Sequence, residues 1–194
     1  MDLQAQFGNI DIYLFDQLLK GRIKPPMSLL DAGCGDGRNL IYFLRQGFGV
    51  WAVDSNPQSI QQVRTLASRL APNLPSERFL NAEVAEMPFP SEKFDLVISS
   101  AVLHFANDEQ HFNGMLDEMW RVLKAEGILF ARLASSIGIE ELIKPTEKGR
   151  YLLPDGTERF LVNEEMLAAA SERLNARRVE PLKTTNVENL RCMT

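Results

Sequence analysis

The sequence predicts an α/β protein built on a doubly wound, mostly parallel sheet of seven strands with helices on both faces. Short apolar segments alternate with amphipathic segments, and parallel strands need a helix in each right-handed connection. The nearly continuous apolar run at residues 94–101 is typical of a strand covered on both faces. A cluster of glycines directly follows the first apolar strand. The last strand is expected to be antiparallel and truncated.

In chain order, the predicted elements are a helix at residues 9–20, a strand at 28–31, a helix ending near Gly47, a strand at 50–54, a helix from Pro57, strands at 78–82 and 94–101, a helix at 108–123, a strand at 128–134, a helix at 163–174, and extended segments at 177–185 and 186–194. The helices follow from apolar residues at helical spacing. Their ends carry signals such as the cap Asn56 and the terminating Gly127. Residues 135–160 hold glycines, prolines and the turn Pro154-Asp155-Gly156, which predicts irregular structure.

The 194 residues are predicted to form a single domain, residues 1–194. We divide it into a leading helix at 1–27, a core at 28–134, an insertion at 135–162, and a C-terminal helix with strands at 163–194. The content of 45% hydrophobic and 24% charged residues is typical of a globular protein. The first residues lack a signal-peptide pattern, and no apolar run is long enough to span a bilayer. We therefore expect a cytoplasmic protein without a membrane partner.

The net charge of −5 at pH 7 argues against non-specific nucleic-acid binding, because the protein as a whole repels phosphate. The candidate for such a surface is the basic cluster of Arg173, Arg177, Arg178 and Lys183. A solvated helix end is the alternative interpretation of that cluster. Cys34 and Cys192 have neither the spacing nor the partners of a zinc site or a disulfide framework. The sequence therefore predicts no nucleic-acid partner and no metal.

A glycine-rich turn follows the first predicted strand, in the segment Leu29-Leu30-Asp31-Ala32-Gly33-Cys34-Gly35-Asp36-Gly37-Arg38-Asn39. Glycines there let the main chain turn sharply and approach a ligand closely, since a Cβ would collide with it. The spacing is G-x-G-x-G. The dinucleotide fingerprint G-x-G-x-x-G would need glycine where Arg38 stands, and the phosphate-binding G-x-x-x-x-G-K-[ST] is absent. The turn therefore disfavours a phosphate-bearing cofactor.

Two acidic residues stand at the ends of the next two strands. Asp54 ends the second strand, where a carboxylate can accept hydrogen bonds from both hydroxyls of a ribose. Glu83 closes the third strand beside the same crevice, where adenine offers an amino donor. Asp54 has a structural alternative, as a cap of the helix that begins at Pro57. Together the two acids indicate a nucleoside ligand.

Five segments, in order, resemble the motif series of class I S-adenosylmethionine-dependent methyltransferases: DAGCGDG, VDSNP, NAEVAEMPFP, FDLVISSAVLHF and MWRVLKAEG. They cover residues 28–133. The similarity is to the type 11 and type 12 members, and it extends faintly to the tellurite-resistance-like and thiopurine-type small-molecule enzymes. The sequence departs from the pattern at Glu83, where aspartate is commoner, and at Ala125-Glu126, which replaces Pro-Gly. The resemblance implies a Rossmann-like fold, with S-adenosyl-L-methionine as cofactor of the core.

The resemblance also implies a cofactor-binding set around the strand ends. Its members are Asp31, Gly33, Gly35 and Gly37 at the methionine part, Asp54 and Ser55 at the ribose, Glu83 and Val84 at the adenine, and Ser100 and Ala101 beside the sulfonium. Cys34 and Arg38 complete the set. Cys34 has a simpler interpretation, as a small residue in a crowded turn. Three interpretations of Arg38 stay open: it binds a carboxylate of the cofactor, it binds a carboxylate of an acidic substrate, or it stands at the helix start without a ligand.

His104 is the candidate general base, since it follows the fourth strand and an imidazole can take a proton near neutral pH. A structural histidine is the alternative, because members of this family carry histidine in the same segment without a catalytic duty. His111 is expected on the surface of the following helix. No other catalytic residue is predicted.

The acceptor is predicted to be a small molecule, because the pieces beside the crevice, the leading helix near Tyr13 and the insertion at residues 135–160, are both short. The expected assembly is a monomer or a homodimer. Three alternatives stay open: a methyltransferase for protein or RNA, a non-catalytic module that only binds S-adenosylmethionine, and a nicotinamide-dependent oxidoreductase. Salt-sensitive binding through the basic cluster would favour the first, and tight binding of NAD the last.

Overall fold

The computed structural model describes residues 2–194. The helices among them are α1 (Leu3–Phe7), α2 (Ile12–Leu19), α3 (Ile41–Arg45), α4 (Pro57–Leu70), α5 (Glu109–Val122) and α6 (Glu164–Arg173). The strands are β1 (Ser28–Ala32), β2 (Gly49–Asp54), β3 (Phe79–Asn81), β4 (Phe94–Ser100), β5 (Leu123–Arg132), β6 (Lys144–Pro145), β7 (Arg150–Leu152), β8 (Glu158–Phe160), β9 (Thr185–Val187) and β10 (Arg191–Met193). One of the 3₁₀ turns, Leu103–Phe105, directly follows β4.

The central sheet is parallel and has the strand order β3-β2-β1-β4-β5. Helices α3, α4 and α5 lie in the connections between these strands, as the alternation in the sequence predicts. The α/β, Rossmann-like class is confirmed. The sheet has five strands, however, and the prediction of seven was wrong. The carboxyl ends of β2, β1 and β4 meet along one edge, where the site residues follow them.

The two faces of the sheet carry two separate hydrophobic cores. Leu30 and Val97 belong to one core, and their neighbours Leu29 and Leu96 belong to the other. Successive side chains of a strand point to opposite faces, so a strand covered by helices on both sides is apolar at nearly every position. This explains the run in β4, in which every residue except Asp95 is buried.

The last two strands form an antiparallel hairpin, β9 with β10. The antiparallel direction of the final strand was predicted correctly. The end of this hairpin lies beside the segment that follows β5, because the backbones of Leu133 and Thr194 exchange two hydrogen bonds of 2.9 and 2.8 Å. The hairpin is hydrogen-bonded there to residues 133–135 and does not extend the central sheet as regular strands.

Residues 177–184 form no strand, although they were predicted to be extended and to contribute to the sheet. The segment is instead tied to α2 and the residues just after it by a group of ion pairs, which we call the terminal clasp: Asp16, Lys20, Arg22, Glu180 and Lys183. Arg22 and Lys20 beside Glu180 lower the pKa of its carboxyl to about 2. Pro181 also lacks the backbone donor that a strand requires.

The insertion contains a three-stranded antiparallel sheet, β6-β7-β8, where the sequence predicted irregular structure. These strands have two or three residues each, too short for a clear pattern. The turn at residues 154–156 was predicted correctly and joins β7 to β8. Phe160 stacks on Phe112 of α5 with ring centroids 5.1 Å apart. The insertion is thereby fixed beside the 3₁₀ turn that follows β4.

The N-terminal segment is built from two helices, where one helix at residues 9–20 was predicted. The ring of Phe7 in α1 stacks on Tyr42 at 5.0 Å and thereby fixes α1 against α3. Asp11 caps α2, accepting from the Tyr13 N–H, and its own N–H donates to Asn39 Oδ1 at 3.0 Å. Among residues 2–194, no helix has both the length and the apolar content needed to cross a membrane.

The cap of α4 provides a test of local sequence signals. Asn56 accepts a hydrogen bond from the Gln58 N–H at 2.9 Å, and Pro57 occupies the first helical position, as predicted. Asn56→Ala should lower the free energy of unfolding by about 1 kcal/mol, because one helix N–H loses its partner. Urea denaturation measures the change. The control Gln61→Ala, on an exposed turn of the same helix, should leave stability within about 0.5 kcal/mol. Equal losses in both variants would contradict the capping role.

Candidate functional site

The turn after β1 is fixed to β2 by its backbone. The N–H groups of Gly33 and Cys34 both donate to the Val53 carbonyl oxygen, at 2.9 and 3.0 Å. Gly33 has φ = +80°, and a Cβ added to it would lie 2.5 Å from Val102 Cγ2. Glycine is therefore required at this position by both the backbone angle and the close packing. The turn holds the main chain of residues 33–36 at the carboxyl edge of the sheet.

A cavity of ≈ 460 Å³ opens along this edge. Its lining residues are Gly33, Cys34, Gly35, Asp36, Arg38, Asn39, Asp54, Ser55, Glu83, Val84, Ser100, Ala101, Val102, Phe105, His111 and Met115. They come from the segments that follow β1, β2, β3 and β4, which are separated by long stretches of sequence. Because parallel strands end at the same edge, the fold brings these segments together. The volume lies within the ordinary range for small-ligand pockets.

The structure brings together ten of the twelve residues predicted to bind the cofactor. The two that do not line the cavity are Asp31 and Gly37. Asp31 is buried behind the turn, in β1. Gly37 faces α4, since a Cβ there would lie 3.0 Å from Val63 and 3.2 Å from Leu66. Its position therefore serves packing of the loop against α4, and a role for Gly37 in binding stays a prediction.

Asp54 stands at the end of β2 with both carboxylate oxygens already in use. Oδ2 accepts from the Gly35 N–H at 2.8 Å, and Oδ1 accepts from the Asn56 N–H at 2.9 Å. Each oxygen has a second lone pair, so the carboxylate can still accept from a ligand. Glu83 is exposed at the cavity wall next to the buried Val84. The two acids therefore lie at the β2–β3 end of the cavity.

Asp31 is a buried acid with an unsatisfied carboxylate oxygen. Its Oδ2 is buried and has no hydrogen-bond partner among residues 2–194. Burial raises the pKa of its carboxyl to about 7, Arg38 opposes the rise, and Asp54 and Asp36 add to it. A buried carboxyl without a partner is destabilising when ionised. Cys34, on the cavity side of the same turn, also has its thiol pKa raised by burial and remains protonated at neutral pH.

His104 lies outside the cavity lining. Its imidazole is 6% exposed, and Nδ1 accepts a hydrogen bond from the Ala134 N–H at 3.2 Å. Burial, together with the smaller effects of Arg159, Arg132 and Arg191, lowers the pKa of this side chain to about 4. These contacts favour the structural alternative. His111, which was expected on the helix surface, instead lines the cavity from the first turn of α5.

The far end of the cavity is organised by a network that the sequence did not reveal. Asp11 is buried, and its Oδ2 receives the Ser100 hydroxyl at 3.2 Å and Arg132 Nη1 at 3.2 Å. Arg38 Nη2 donates to Ser100 Oγ at 2.7 Å, and Arg38 Nη1 donates to the Asn9 carbonyl at 3.1 Å. The capping pattern at Asp11 was readable, but its partners are 89 and 121 positions away.

Apolar side chains complete the wall between the two ends. Val102, Phe105 and Met115 line the cavity, and the Arg159 guanidinium lies 4.9 Å from the Phe105 ring centroid. Phe105 is 55% exposed, which is unusual for a large aromatic side chain. In the sequence, the available signal for this wall was Phe105, a large aromatic residue shortly after β4. The cavity thus combines polar ends with an apolar wall, as small-molecule sites commonly do.

The basic cluster named in the sequence is partly neutralised. Arg173 is ion-paired with Asp117 and donates to Asn113 at 3.0 Å. Lys183 belongs to the terminal clasp, 3.2 Å from Asp16. Arg177 and Arg178 are exposed beyond α6. The cluster therefore does not form one continuous basic surface.

Residues 30–131, more than half of the chain, match the family described as the methyltransferase domain. Together with the fold and the site, this match establishes that the chain belongs to the class I S-adenosylmethionine-dependent methyltransferases. That family uses S-adenosyl-L-methionine as its cofactor.

Similar curated proteins include the uncharacterized methyltransferase YodH of Bacillus subtilis, 33% identical over 139 residues, covering 70% of this chain and 54% of YodH. The malonyl-[acyl-carrier protein] O-methyltransferase of Halorhodospira halophila is 36% identical over 124 residues, covering 60% of this chain and 39% of the enzyme. The chain thus spans about half or less of these relatives.

Among solved structures, a similar one is the Burkholderia thailandensis 1,6-didemethyltoxoflavin-N1-methyltransferase with bound 1,6-didemethyltoxoflavin and S-adenosylhomocysteine. It is 21% identical and has a TM-score of 0.63, with 99% of this chain and 78% of that chain covered. At this identity the similarity establishes the fold.

Asp31 makes stability depend on pH. An aspartate in the unfolded chain has a pKa near 4. Between about pH 4 and pH 7, the folded protein keeps a proton on Asp31 that the unfolded chain has lost, so the free energy of unfolding falls as pH rises. Asp31→Asn removes this penalty. The stability of the variant relative to the parent should rise by roughly 2 to 4 kcal/mol between pH 4.5 and pH 8.

Urea denaturation at both pH values measures this difference. Glu86→Gln changes an exposed carboxyl that does not act on Asp31 and is the matched control, whose stability difference from the parent should stay constant with pH. A stability difference between Asp31→Asn and the parent that stays constant with pH would contradict the raised pKa.

Proposed function

We propose that the chain transfers a methyl group from S-adenosyl-L-methionine to a small-molecule acceptor by in-line displacement. The observation that carries the proposal is one continuous cavity of ≈ 460 Å³ across four strand ends. It joins the acids that suit a nucleoside, Asp54 and Glu83, to the segment at Ser100 and Ala101. Membership of the methyltransferase family supports the same chemistry.

Several features of the cavity fit this cofactor. Gly35 lines the cavity with φ = +54°, and nothing lies within 4 Å of the position its Cβ would take. A ligand can therefore approach the main chain there. Asp54 keeps free lone pairs for the ribose hydroxyls, and the Val84 N–H has no hydrogen-bond partner among residues 2–194, so it is available to adenine.

The charges of the cavity also suit a cationic cofactor. Asp36, Asp54 and Glu83 line it. In a partly enclosed site, fixed carboxylates attract a sulfonium and an ammonium group more strongly than they would in water. The buried Asp31 carboxyl adds a further negative charge when it ionises.

The protein contributes position more than covalent chemistry. When bound, the cofactor would supply an electrophilic methyl group; an acceptor lone pair would attack its carbon while the carbon–sulfur bond breaks and the electron pair stays on sulfur, so that S-adenosylhomocysteine is the leaving group. Holding donor and acceptor in line can supply up to roughly 7 to 11 kcal/mol of the reduction in barrier. The turn at Gly33, which is bonded to β2 and packed on Val102, provides a rigid base for such positioning. This mechanism does not require His104 to act as a general base.

The acceptor side of the cavity favours a small molecule. Phe105 and Met115 offer an apolar wall, and α2 and the insertion are short elements beside it. The B. thailandensis structure contains bound 1,6-didemethyltoxoflavin, which supports a small-molecule acceptor. The H. halophila relative is an O-methyltransferase for malonyl-[acyl-carrier protein], in which the malonyl group is carried on a protein.

Asp54→Ala tests the nucleoside end. The substitution should weaken binding of S-adenosylmethionine and S-adenosylhomocysteine by about 1 to 3 kcal/mol, because charge-assisted hydrogen bonds are lost. Isothermal titration calorimetry measures both affinities, with NAD as the control ligand. Asp117→Ala, on the exposed face of α5, removes the same charge and should leave the affinities unchanged. Unchanged affinity in Asp54→Ala would exclude Asp54 from the site, and preferential binding of NAD would overturn the proposal.

Two alanine substitutions separate folding from binding. Gly33→Ala introduces the contact with Val102 in addition to an unfavourable φ, so the free energy of unfolding should fall by roughly 2 to 5 kcal/mol. Gly35→Ala meets no protein atom and should lower it by only about 1 to 2 kcal/mol. Its methyl group occupies ligand space, however, so the affinity for S-adenosylhomocysteine should fall at least tenfold. Urea denaturation measures the stability of both variants, and calorimetry measures their affinity for S-adenosylhomocysteine. Normal cofactor affinity in Gly35→Ala would place the ligand elsewhere.

A further inference from the structure

The strand order separates the charged groups of the cavity into two ends. Asp54 and Glu83 follow β2 and β3, on one side of β1. Ser100 ends β4 on the other side and lines the cavity, and Arg132 ends β5 beside it without being part of the lining. Three strand spacings separate β2 from β5, which is about 14 Å. The nucleoside end is therefore acidic, and the opposite end has a different charge.

At that opposite end, two guanidinium groups share one carboxylate. Arg132 Nη1 lies 3.2 Å from Asp11 Oδ2, and Arg38 Nη2 lies 3.8 Å from the same oxygen. The Asp11 side chain is fully buried and is the acid within 4 Å of both guanidinium groups, while Asp31 acts on Arg38 from a longer distance. Lys183, which lies 5.7 Å from the neighbouring Tyr13 ring, is paired within the terminal clasp. Within ion-pair distance, the Ser100 end therefore has two guanidinium groups for one carboxylate.

Both arginines retain donor capacity. A guanidinium has five N–H donors, and Arg38 donates to the Asn9 carbonyl and the Ser100 hydroxyl. Its side chain is 34% exposed and lines the cavity. Arg132 Nε is buried and has no hydrogen-bond partner among residues 2–194. Partly buried, under-neutralised guanidinium groups with spare donors bind carboxylates and related anions strongly.

We propose that the methyl acceptor carries an anionic group, of the carboxylate type, which Arg38 binds at the Ser100 end of the cavity. This inference rests on the proposed function, because it assigns a substrate class to the same site. Arg38 is then a specificity-determining residue. Asp11 is a positioning residue that holds Arg38 and Ser100 against α2 without touching the acceptor.

In the competing interpretation, Arg38 binds the carboxylate of the cofactor itself. The two interpretations predict different losses. If Arg38 binds the acceptor, its removal abolishes the preference for anionic acceptors and leaves cofactor affinity nearly unchanged. If it binds the cofactor, the affinity for S-adenosylhomocysteine falls and any acceptor preference persists.

The experiment titrates the protein, saturated with S-adenosylhomocysteine, with acids and their uncharged amides at pH 7.5. The probe pairs are benzoate and benzamide, hexanoate and hexanamide, and succinate and succinamide. At least one acid should bind ten times more tightly than its amide. In Arg38→Gln that preference should fall below twofold, while the affinity for S-adenosylhomocysteine changes less than threefold. Arg38→Lys, which keeps the charge, should retain at least a threefold preference.

Arg45→Gln is the matched control, since it removes the same charge from an exposed position of α3 that does not line the cavity. It should keep the full preference for the acid. Failure of the parent protein to bind S-adenosylhomocysteine would overturn the proposed function. Normal binding of S-adenosylhomocysteine with no acid preferred over its amide would overturn this inference alone. An acid preference that survives Arg38→Gln, with weakened cofactor binding, would assign Arg38 to the cofactor.

Discussion

The attachment of the β1 turn to β2 is the constraint on which the rest of the site depends. One carbonyl oxygen, that of Val53, accepts from two successive N–H groups, and Gly33 packs so closely on Val102 that no side chain fits between them. The turn is thus held between the second and fourth strands. The cavity wall at Gly35, the orientation of Asp54 and the approach of Ser100 all follow from this placement.

Much of the fold could be predicted from sequence because the signals were local. The cap Asn56 with Pro57, the apolar run of β4 and the glycine turn each report on backbone conformation within a few residues. Since parallel strands end at one edge, the order of motifs was also enough to predict that Asp54, Glu83 and Ser100 share a cavity. The match of residues 30–131 to the methyltransferase family confirms the resemblance that those motifs carried.

The features that the sequence did not predict depend on contacts between residues far apart in the chain. Nothing near Asp11 in the sequence indicates that Arg132 and Ser100 are its partners. The position of His104 after β4 left a base and a structural histidine as alternatives, and only the fold shows that its ring is buried and accepts from the Ala134 N–H. The number of strands was overestimated for two reasons: residues 177–184 are held by ion pairs to Asp16, Lys20 and Arg22, and the last residues form a separate hairpin. Periodicity reports neither interaction.

The terminal clasp makes the C-terminal segment more sensitive to ionic strength than the cavity is. Its side chains are roughly one quarter to two fifths exposed, so dissolved salt screens the pairs among Asp16, Lys20 and Glu180. Screening loosens the segment around Glu180, whereas α2 stays anchored by the buried Leu14 and Asp11. The nucleoside end rests on backbone hydrogen bonds and tight packing, which salt hardly affects. Concentrated salt should therefore release the C-terminal segment from α2 well before it impairs retention of the nucleoside.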